Sequence, residues 1–355
     1  MSLDKVVKAI NKQFGDGALV KASEMKSLEI QRVSTGSFTM DVQLGGGWAV
    51  GRVCVVYGPE SSGKTTMALK GAAEFQKEGF PVVWIDAEGS WDESWSEAMG
   101  IDLDDIRVGR PDGGESAWDI AEAVIRSSDE GGLLVIDSLA TLVPTAEIEN
   151  SMSDQQMAEA ARMNNKGFRK ISAAMNSRGD ADPWTVLIIN QTREAVGVMY
   201  GDPTVLPGGK GQKYHSSITI AFRTGEWIKA PRDMPEYNIE KGEMIGHQIK
   251  FNAKKNKTYA PHKKGAFDFY VAGPMKGQID RMKEVVDFAI FHGIIERRGA
   301  WYYIDGVEES FQGKNNLNEF LRDHPEHMRN IERAVMRTVQ GANMPDNEEQ
   351  EEDSE

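Results

Sequence analysis

The sequence has little of three things: cysteine, long apolar runs and net positive charge. Its single cysteine, Cys54, lies in the apolar stretch VCVVY, so no disulfide can form within one chain and we expect a buried structural thiol. No uncharged apolar run reaches the roughly 18 residues of a transmembrane helix, and MSLDKVVKAI lacks the apolar stretch of a signal peptide. We therefore expect a soluble, cytoplasmic protein without a membrane partner.

The formal net charge of −14 at pH 7, taken alone, argues against nucleic acid as a partner, because phosphate binding depends on Lys and Arg. The charge is unevenly placed, however. Residues 346–355 hold seven acids and no base, whereas residues 250–264 hold six lysines and no acid. Local charge is therefore the better guide to partners.

A chain of 355 residues, 40% of them apolar, predicts one large domain with small flanking modules. An amphipathic helix is predicted at 3–14, followed by a short strand at 18–20 that would pair outside its own segment. From Thr35 to Val271, apolar strands (53–57, 82–86, 133–137 and 185–190) alternate with helical stretches (65–76 and 117–127), which favours an α/β fold with a mostly parallel, doubly wound sheet. A helix at 279–292, a strand at 300–304 and a helix at 317–339 predict a small α/β module.

One segment fits the phosphate-binding pattern G-x-x-x-x-G-K-[ST], between a predicted strand and a predicted helix, as that motif requires. Backbone N–H groups of such a loop surround an anion, Lys64 supplies a charge for the β- and γ-phosphates, and the Thr65 hydroxyl can bind Mg²⁺. The predicted ATP-binding residues are Gly58, Pro59, Glu60, Ser61, Ser62, Gly63, Lys64, Thr65 and Thr66.

Two acids follow other predicted strands. Asp137 ends LLVID, the position of an aspartate that holds Mg²⁺ through water, although an apolar strand ending in Asp is common by itself. Glu88 follows VVWID and could orient and deprotonate the water that attacks the γ-phosphate, or be a solvated loop acid.

Beyond these motifs the chain resembles the RecA recombinase family, cellular or phage-encoded, from about Lys12 to Asp323. The resemblance rests on strings that occur in the family's order: VSTGSFTMDVQLGGG (33–47), GPESSGKTT (58–66), IDAE (85–88), VIDSLATLVPTAEIE (135–149), AARM (160–163), INQTR (189–193), GVMYGDP (197–203) and GAWYYIDG (299–306). A generic P-loop ATPase would share only the second string and Asp137.

The resemblance implies a RecA-type ATPase core and a DNA-dependent ATPase that forms ATP-bound helical filaments on single-stranded DNA and exchanges strands with duplex DNA, in recombination and repair. It implies catalytic roles for Glu88, Lys64, the γ-phosphate sensor Gln191, and the two lysines Lys255 and Lys257, which reach the ATP of the neighbouring subunit. Asp92 and Trp95 match the positions that contact adenine, although an aromatic residue in an amphipathic helix is more often core. Single-strand-binding and loader proteins are further expected partners.

Two segments, 147–157 and 192–212, resemble the DNA-binding loops of the family. In such loops backbone amides and basic side chains grip the phosphodiester backbone and an aliphatic residue, here Val196, wedges between bases. The implied DNA-binding residues are Met157, Arg162, Asn165, Arg169, Arg193, Val196, Gly197, Met199, Tyr200, Gly208, Gly209 and Lys210.

The implied organisation is an N-terminal oligomerisation segment (1–33), an ATPase core (34–272), a small C-terminal domain (273–342) and a disordered acidic tail (343–355). The sequence departs from the family at Glu194, at residues 205–207, at Val271 and in a shorter N-terminal helix. Two alternatives share the ATPase core: a helicase or RadA-like DNA motor, and an ATP-gated filament without turnover. The single cysteine excludes the zinc site of the former, and Glu88, Lys255 and Lys257 speak against the latter.

Overall fold

The computed structural model describes residues 2–15, 18–21, 30–149, 159–179, 181–194 and 204–340, with the backbone alone for residues 193–194, 204–205 and 340. The chain divides into two compact units, Met1–Gln31 and Arg32–Glu355. The helices are α1 (Leu3–Phe14), α2 (Phe38–Leu44), α3 (Lys64–Lys77), α4 (Glu93–Met99), α5 (Gly114–Ser127), α6 (Thr145–Glu149), α7 (Glu159–Asn176), α8 (Gly211–His215), α9 (Arg281–Phe291), α10 (Gly313–Asp323) and α11 (Pro325–Gln340).

The strands are β1 (Arg32–Val33), β2 (Trp48–Ala49), β3 (Val53–Gly58), β4 (Val82–Asp86), β5 (Ile106–Gly109), β6 (Gly132–Asp137), β7 (Trp184–Gln191), β8 (Arg193–Glu194), β9 (Thr204–Val205), β10 (Ile218–Lys229), β11 (Met244–Asn256), β12 (Lys264–Tyr270), β13 (Ile295–Arg298), β14 (Trp301–Ile304) and β15 (Ser310–Gln312). Among the described helices, none combines the length and the apolar composition needed to span a bilayer.

In the first unit, helix α1 confirms the predicted helix, but the predicted strand at 18–20 is wrong. Residues 18 and 19 form a bend, and residues 20 and 21 have no regular secondary structure. The side-chain amide of Asn11 takes both backbone groups of Leu19, accepting from its N at 2.8 Å and donating to its O at 3.0 Å. A side chain thus makes the hydrogen bonds that a partner strand would have made.

The second unit is built on an eight-stranded sheet in the order β12-β11-β10-β3-β7-β6-β4-β5. The six strands from β10 to β5 are parallel, whereas β11 and β12 add to the β10 edge as antiparallel neighbours. The predicted, mostly parallel sheet is therefore confirmed. Because the carboxyl ends of neighbouring parallel strands lie together, the residues after β3, β4, β6 and β7 lie side by side.

Helices cover both faces of this sheet. On one face Trp118 of α5 and Phe168 of α7 pack in one cluster with alternate residues of β3, β6 and β7. Gly167 permits this contact, since a Cβ there would lie 2.1 Å from the Trp118 ring. Helix α3 contacts the same strands, and in the described chain it contributes no residue to that cluster, so it covers the other face. The predicted doubly wound arrangement is confirmed.

The C-terminal module combines the three-stranded sheet β13-β14-β15 with α9, α10 and α11. The single helix predicted at 317–339 is wrong, because the chain breaks between α10 and α11. Pro325 opens α11, and a residue that precedes proline disfavours the helical region, so His324 (φ −127°, ψ 72°) ends α10.

A buried carboxylate joins this module to the core. Glu284 of α9 accepts hydrogen bonds from Ser37 Oγ (2.6 Å) and from the backbone N–H groups of Phe38 (3.1 Å) and Thr39 (3.0 Å). It therefore satisfies the N-terminal donors of α2, which that helix cannot satisfy within itself. Burial raises the pKa of Glu284, and these hydrogen bonds act in the opposite direction.

Candidate functional site

The turn between β3 and α3 has the shape of a phosphate-binding loop. Gly63 (φ 89°) and Ser61 (φ 55°) adopt left-handed conformations. A Cβ on Gly58 would lie 2.4 Å from the carbonyl oxygen of Phe222, and one on Gly63 would lie 2.5 Å from Ile249 Cδ1, so both positions require glycine. Pro59, Glu60 and Ser61 are exposed at the loop's mouth, in front of the first turn of α3. Backbone N–H groups and the helix dipole favour an anion there.

The lysine and threonine of the motif face the same space. Lys64 is 7% exposed and its Nζ donates to the carbonyl oxygen of Pro59 at 2.6 Å, across the loop. Burial lowers the pKa of Lys64 and the nearby carboxylates of Asp137 and Glu88 raise it. Thr65 Oγ1 donates to Asp137 Oδ2 at 3.1 Å, which links the start of α3 to the end of β6.

Asp137 lies in surroundings that favour the binding of a cation. It is 2% exposed, and its Oδ1 has no hydrogen-bond partner in the part of the chain that the structure describes. Burial, followed by the charge of Glu88, raises its pKa to about 7. Carboxylate and hydroxyl oxygens are ligands that Mg²⁺ prefers, so Asp137 and Thr65 fit such an ion.

Three strand ends converge on Glu88. Its Oε1 accepts from Ser138 Oγ at 2.7 Å and from Gln191 Nε2 at 2.8 Å, and its backbone N donates to Asp137 O at 3.1 Å. The structure thus brings Glu88, Gln191 and Asp137 together. Ser138 was missed by sequence reasoning, although its place directly after Asp137 was a usable signal.

The predicted adenine-contacting residues lie at helix α4. Asp92 caps this helix by accepting from the backbone N of Trp95 at 2.9 Å, and this bond is the first cause of the lowered pKa of Asp92. Trp95 is half-buried, meets Phe269 edge to face at 6.2 Å, and lies under Lys276 Nζ at 5.9 Å.

An aromatic row that the sequence did not reveal continues from there. Trp227, His247 and Phe269 pair across β10, β11 and β12, with ring centroids 5.5 Å and 6.2 Å apart. Both ring nitrogens of His247 are buried without a partner in the described chain, and burial lowers its pKa. Ile249, two residues along β11 and on the same face, abuts Gly63 of the phosphate loop. The row is a further candidate wall of the nucleotide site.

The two predicted trans-acting lysines lie away from this loop. Thr219 pairs with both Val55 and Lys255, so Lys255 is level with Val55, upstream of Gly58 on β3. That separation is about 10 Å along the strand direction alone, and Lys257 lies beyond Lys255. Lys255 Nζ donates to Ser216 O at 2.6 Å and to Lys213 O. Burial, followed by the charge of Lys257, lowers the pKa of Lys255.

A basic face runs along α7. Arg162 and Arg169 are exposed, and Lys166, which the sequence analysis missed, is exposed between them at the spacing that places all three on one side of a helix. Asn165 differs from them, since its Oδ1 accepts from the backbone N of Gly211 at 2.7 Å. Exposed Lys210 lies next to that anchor.

The predicted DNA loops are described in part. Glu147, where the first DNA loop was predicted to begin, belongs to α6. Pro144 precedes this helix, and its carbonyl oxygen accepts a hydrogen bond from Glu147 N at 2.9 Å. In the second, β8 pairs with β9, and Gly208 (φ 88°) and Gly209 (φ 82°) turn the chain toward α8. The following predictions lie outside the described residues: Met157, Val196, Gly197, Met199, Tyr200 and the side chain of Arg193.

Three features of the parallel sheet together define a P-loop ATPase. A phosphate loop follows one strand, an aspartate able to bind a cation follows another, and a further carboxylate lies beside both. Comparison with known protein families identifies the group of P-loop ATPases to which the chain belongs. A model of the RecA N-terminal domain matches residues 1–275 and one of the RecA C-terminal domain matches residues 283–340.

Proteins named Protein RecA align over nearly the whole chain. That of Staphylococcus carnosus is 38% identical over 94% of this chain and 89% of its own, and that of Ruminococcus albus 39% over 94% and 79%. The protein of Latilactobacillus sakei is 40% identical over 91% of this chain and 86% of its own. The chain belongs to the RecA family of recombinases, which are nucleotide-binding, DNA-dependent ATPases of recombination and repair.

Proposed function

We propose that this chain hydrolyses ATP with Mg²⁺ at the β3–α3 loop and uses the nucleotide to form filaments on single-stranded DNA for homologous pairing and strand exchange. The observation that carries this proposal is the convergence of Glu88, Gln191 and Asp137 beside the phosphate loop. Magnesium neutralises the charge of the phosphates when it is bound. Thr65 and Asp137 are the residues that would hold it.

Within this site, each side chain has a separate task. Lys64 binds the β- and γ-phosphates once it exchanges the Pro59 carbonyl for them. Glu88 orients the attacking water and takes its proton. Gln191, which shares the same carboxylate oxygen at 2.8 Å, is placed to respond to the γ-phosphate. Asp92 and Trp95 bind the adenine at the other end.

The position of Lys255 and Lys257 supports completion of the site from a second subunit. Strand register places both lysines toward the amino end of β3, whereas the phosphate loop follows its carboxyl end. This position supports action on the nucleotide of a neighbouring copy. A cation that enters from another subunit stabilises the charge of the transferring phosphoryl group. Hydrolysis would then require a filament, for which segment 1–33 is the proposed oligomerisation element, with Leu3 and Phe14 of α1 exposed.

The DNA-binding surface that we propose combines α7 with the second loop. Arg162, Lys166, Arg169 and Lys210 supply positive charge, and the glycines supply backbone amides. These contacts fall on phosphates and leave base edges free, which suits a protein that tests homology without sequence preference. The remaining proposed boundaries are 34–272 for the core, 273–342 for the C-terminal domain and 343–355 for the tail.

The deciding experiment measures ATP hydrolysis with and without single-stranded DNA, followed by strand exchange on long substrates. We expect DNA to stimulate hydrolysis and exchange to need ATP and Mg²⁺. A triple variant, Arg162→Gln, Lys166→Gln and Arg169→Gln, should raise the DNA concentration for half-maximal stimulation and flatten its salt dependence. Replacement of Lys170 is the matched control, because Lys170 also lies on α7 but is paired with Asp119 and Glu122 of α5. A rate of ATP hydrolysis that does not change when DNA is added would contradict the proposal.

A further inference from the structure

Gln212 is a buried polar residue for which the proposed site has no use. It is 2% exposed, and its amide is fully bonded: Oε1 accepts from Asn190 Nδ2 at 3.0 Å, and Nε2 donates to Pro207 O at 2.7 Å and to Gly209 O at 3.2 Å. Its side chain therefore binds a strand end on one side and the base of the second DNA loop on the other.

Asn190 extends this contact to the hydrolysis site. It is fully buried, its Nδ2 also donates to Pro207 O at 2.9 Å, and its Oδ1 accepts from the backbone N of Gln191 at 2.9 Å. Gln191 in turn donates to Glu88 Oε1. An unbroken series of hydrogen bonds thus runs from Glu88 to the carbonyls of Pro207 and Gly209.

The geometry of β7 gives this series a direction. Successive side chains of a strand point to opposite faces, so Gln191 faces Glu88 while Asn190 faces the loop. Because Asn190 Oδ1 is bonded to the Gln191 backbone, a shift of Gln191 displaces the amide that holds Pro207. The two residues act as the two arms of one strand end.

The base of the loop is also held from other sides, so that such a displacement has a defined pivot. Asn165 Oδ1 accepts from Gly211 N at 2.7 Å, and Gly208 lies so close to Leu139 that a Cβ would be 2.8 Å from Leu139 Cδ2. A leucine would fill the volume of Gln212 without the cost of burying an amide. A fully bonded amide, in contrast, fixes the relative position of the groups it joins.

We propose that Gln212 is a positioning residue that couples the state of Glu88 and Gln191 to the Pro207–Gly209 segment of the second DNA loop. The inference rests on the proposed function, since it requires that this loop bind DNA and that Gln191 respond to the nucleotide. The Gln212 amide acts through Asn190 and touches neither ATP nor DNA.

The test compares the full-length chain with Gln212→Leu and Gln212→Glu. Hydrolysis is measured without DNA and across a titration of single-stranded DNA, with thermal unfolding recorded for each protein. For Gln212→Leu we expect the DNA-independent rate to stay within about twofold and the stimulation by DNA to fall by about tenfold, because the three buried hydrogen bonds of the amide are lost.

The glutamate variant supplies a readout that a packing role would not change. An ionised carboxylate cannot donate to Pro207 O or Gly209 O, whereas a protonated one can donate a single hydrogen bond to one of them, and burial raises the pKa of such a carboxyl. Stimulation of Gln212→Glu, relative to the unaltered chain at the same pH, should therefore recover as the pH is lowered from about 8 to about 5.5. Gln212→Leu is the matched control and should show no recovery.

The outcomes separate the inference from the function beneath it. An unaltered chain that DNA does not stimulate removes the proposed function and the inference with it. Normal stimulation of the parent together with normal stimulation of both variants overturns the coupling alone. A parallel fall of the DNA-independent rate, or failure of both variants to fold, shows a structural amide and also overturns it.

Discussion

The hydroxyl of Thr65 lies 3.1 Å from Oδ2 of Asp137, while Oδ1 of the same carboxylate is buried without a partner in the described chain. A carboxylate that is half-satisfied in a low-dielectric site is costly to ionise. Its ionisation should therefore be coupled to the arrival of a cation.

The contribution of Asp137 to stability without nucleotide should fall as the pH rises from its ordinary pKa of 3.8 to about 7. The pKa of Asp137 is raised from its ordinary 3.8 to about 7 by burial and by Glu88. A raised folded-state pKa contributes stability that is complete below the unfolded value and is lost as the pH rises through the folded one. Asp137→Asn should therefore melt at least about 2 °C above the unaltered chain at pH 8.

With ATP and Mg²⁺ the order should reverse, because the amide cannot replace a carboxylate beside the cation. Scanning fluorimetry at pH 5, 7 and 8, with and without nucleotide, measures both effects. An Asp137→Asn protein that melts below the parent at pH 8 without nucleotide would refute this interpretation.

Lys64→Ala should abolish hydrolysis, by at least about 100-fold, because a cation at the phosphates is lost. Glu88→Gln should lose a similar factor in rate yet retain ATP binding and lengthen the lifetime of filaments, because only the water-activating group is changed. Nucleotide binding and turnover are measured separately on each variant. Equal loss of nucleotide affinity in the two proteins is the contrary result.

Mixed filaments test whether the lysines act between subunits. A Lys255→Ala, Lys257→Ala double variant and a Lys64→Ala variant should each be inactive alone, whereas their mixture should recover part of the activity. At half of the mixed interfaces an intact phosphate loop meets intact lysines, about 190 residues apart in the chain. No recovery in filaments verified to be mixed would favour action within one subunit.

Removal of residues 346–355 should speed duplex uptake and lower the Mg²⁺ needed for strand exchange. The seven carboxylates of these residues would compete as a polyanion for basic surfaces of the C-terminal module. The cations that we expect to take part are Arg297, Arg298 and Lys314. Arg298 and Lys314 already pair with Glu296 and Asp287, but such exposed pairs are weak. ATPase activity with single-stranded DNA should stay nearly unchanged. Identical Mg²⁺ dependence and duplex affinity at low salt would show a merely solubilising tail.

The parallel core was predictable because its signals are local. Continuous apolar strands such as that ending in Asp137, and the glycine-lysine turn before α3, determine sheet type and phosphate loop within a few residues. The helix break at Pro325 carried an equally local signal that the apolar periodicity outweighed. Leu19 shows a different limit, since its bonds to the Asn11 side chain, eight residues earlier, leave no mark in the apolar pattern.

Much of the site itself was beyond prediction from single residues. His247 lies in an alternating strand, and only cross-strand pairing reveals its neighbours Trp227 and Phe269. Gln212 likewise looks like an ordinary polar residue at the end of the second predicted loop until its contacts with Asn190 are known. Side chains that act through partners far along the chain leave no periodic signal.

The contact of Glu284 with the start of α2 bears on how this chain can be cut and recombined. The two matched domain models end and begin at 275 and 283, yet the donors of Ser37, Phe38 and Thr39 are satisfied from beyond that boundary. A chimera that joins this core to a relative's C-terminal domain is therefore compatible only if the incoming helix offers a carboxylate at the matching position. The boundary between the two modules is therefore not a free cutting point, because the carboxylate on one side completes the hydrogen bonding of the helix on the other.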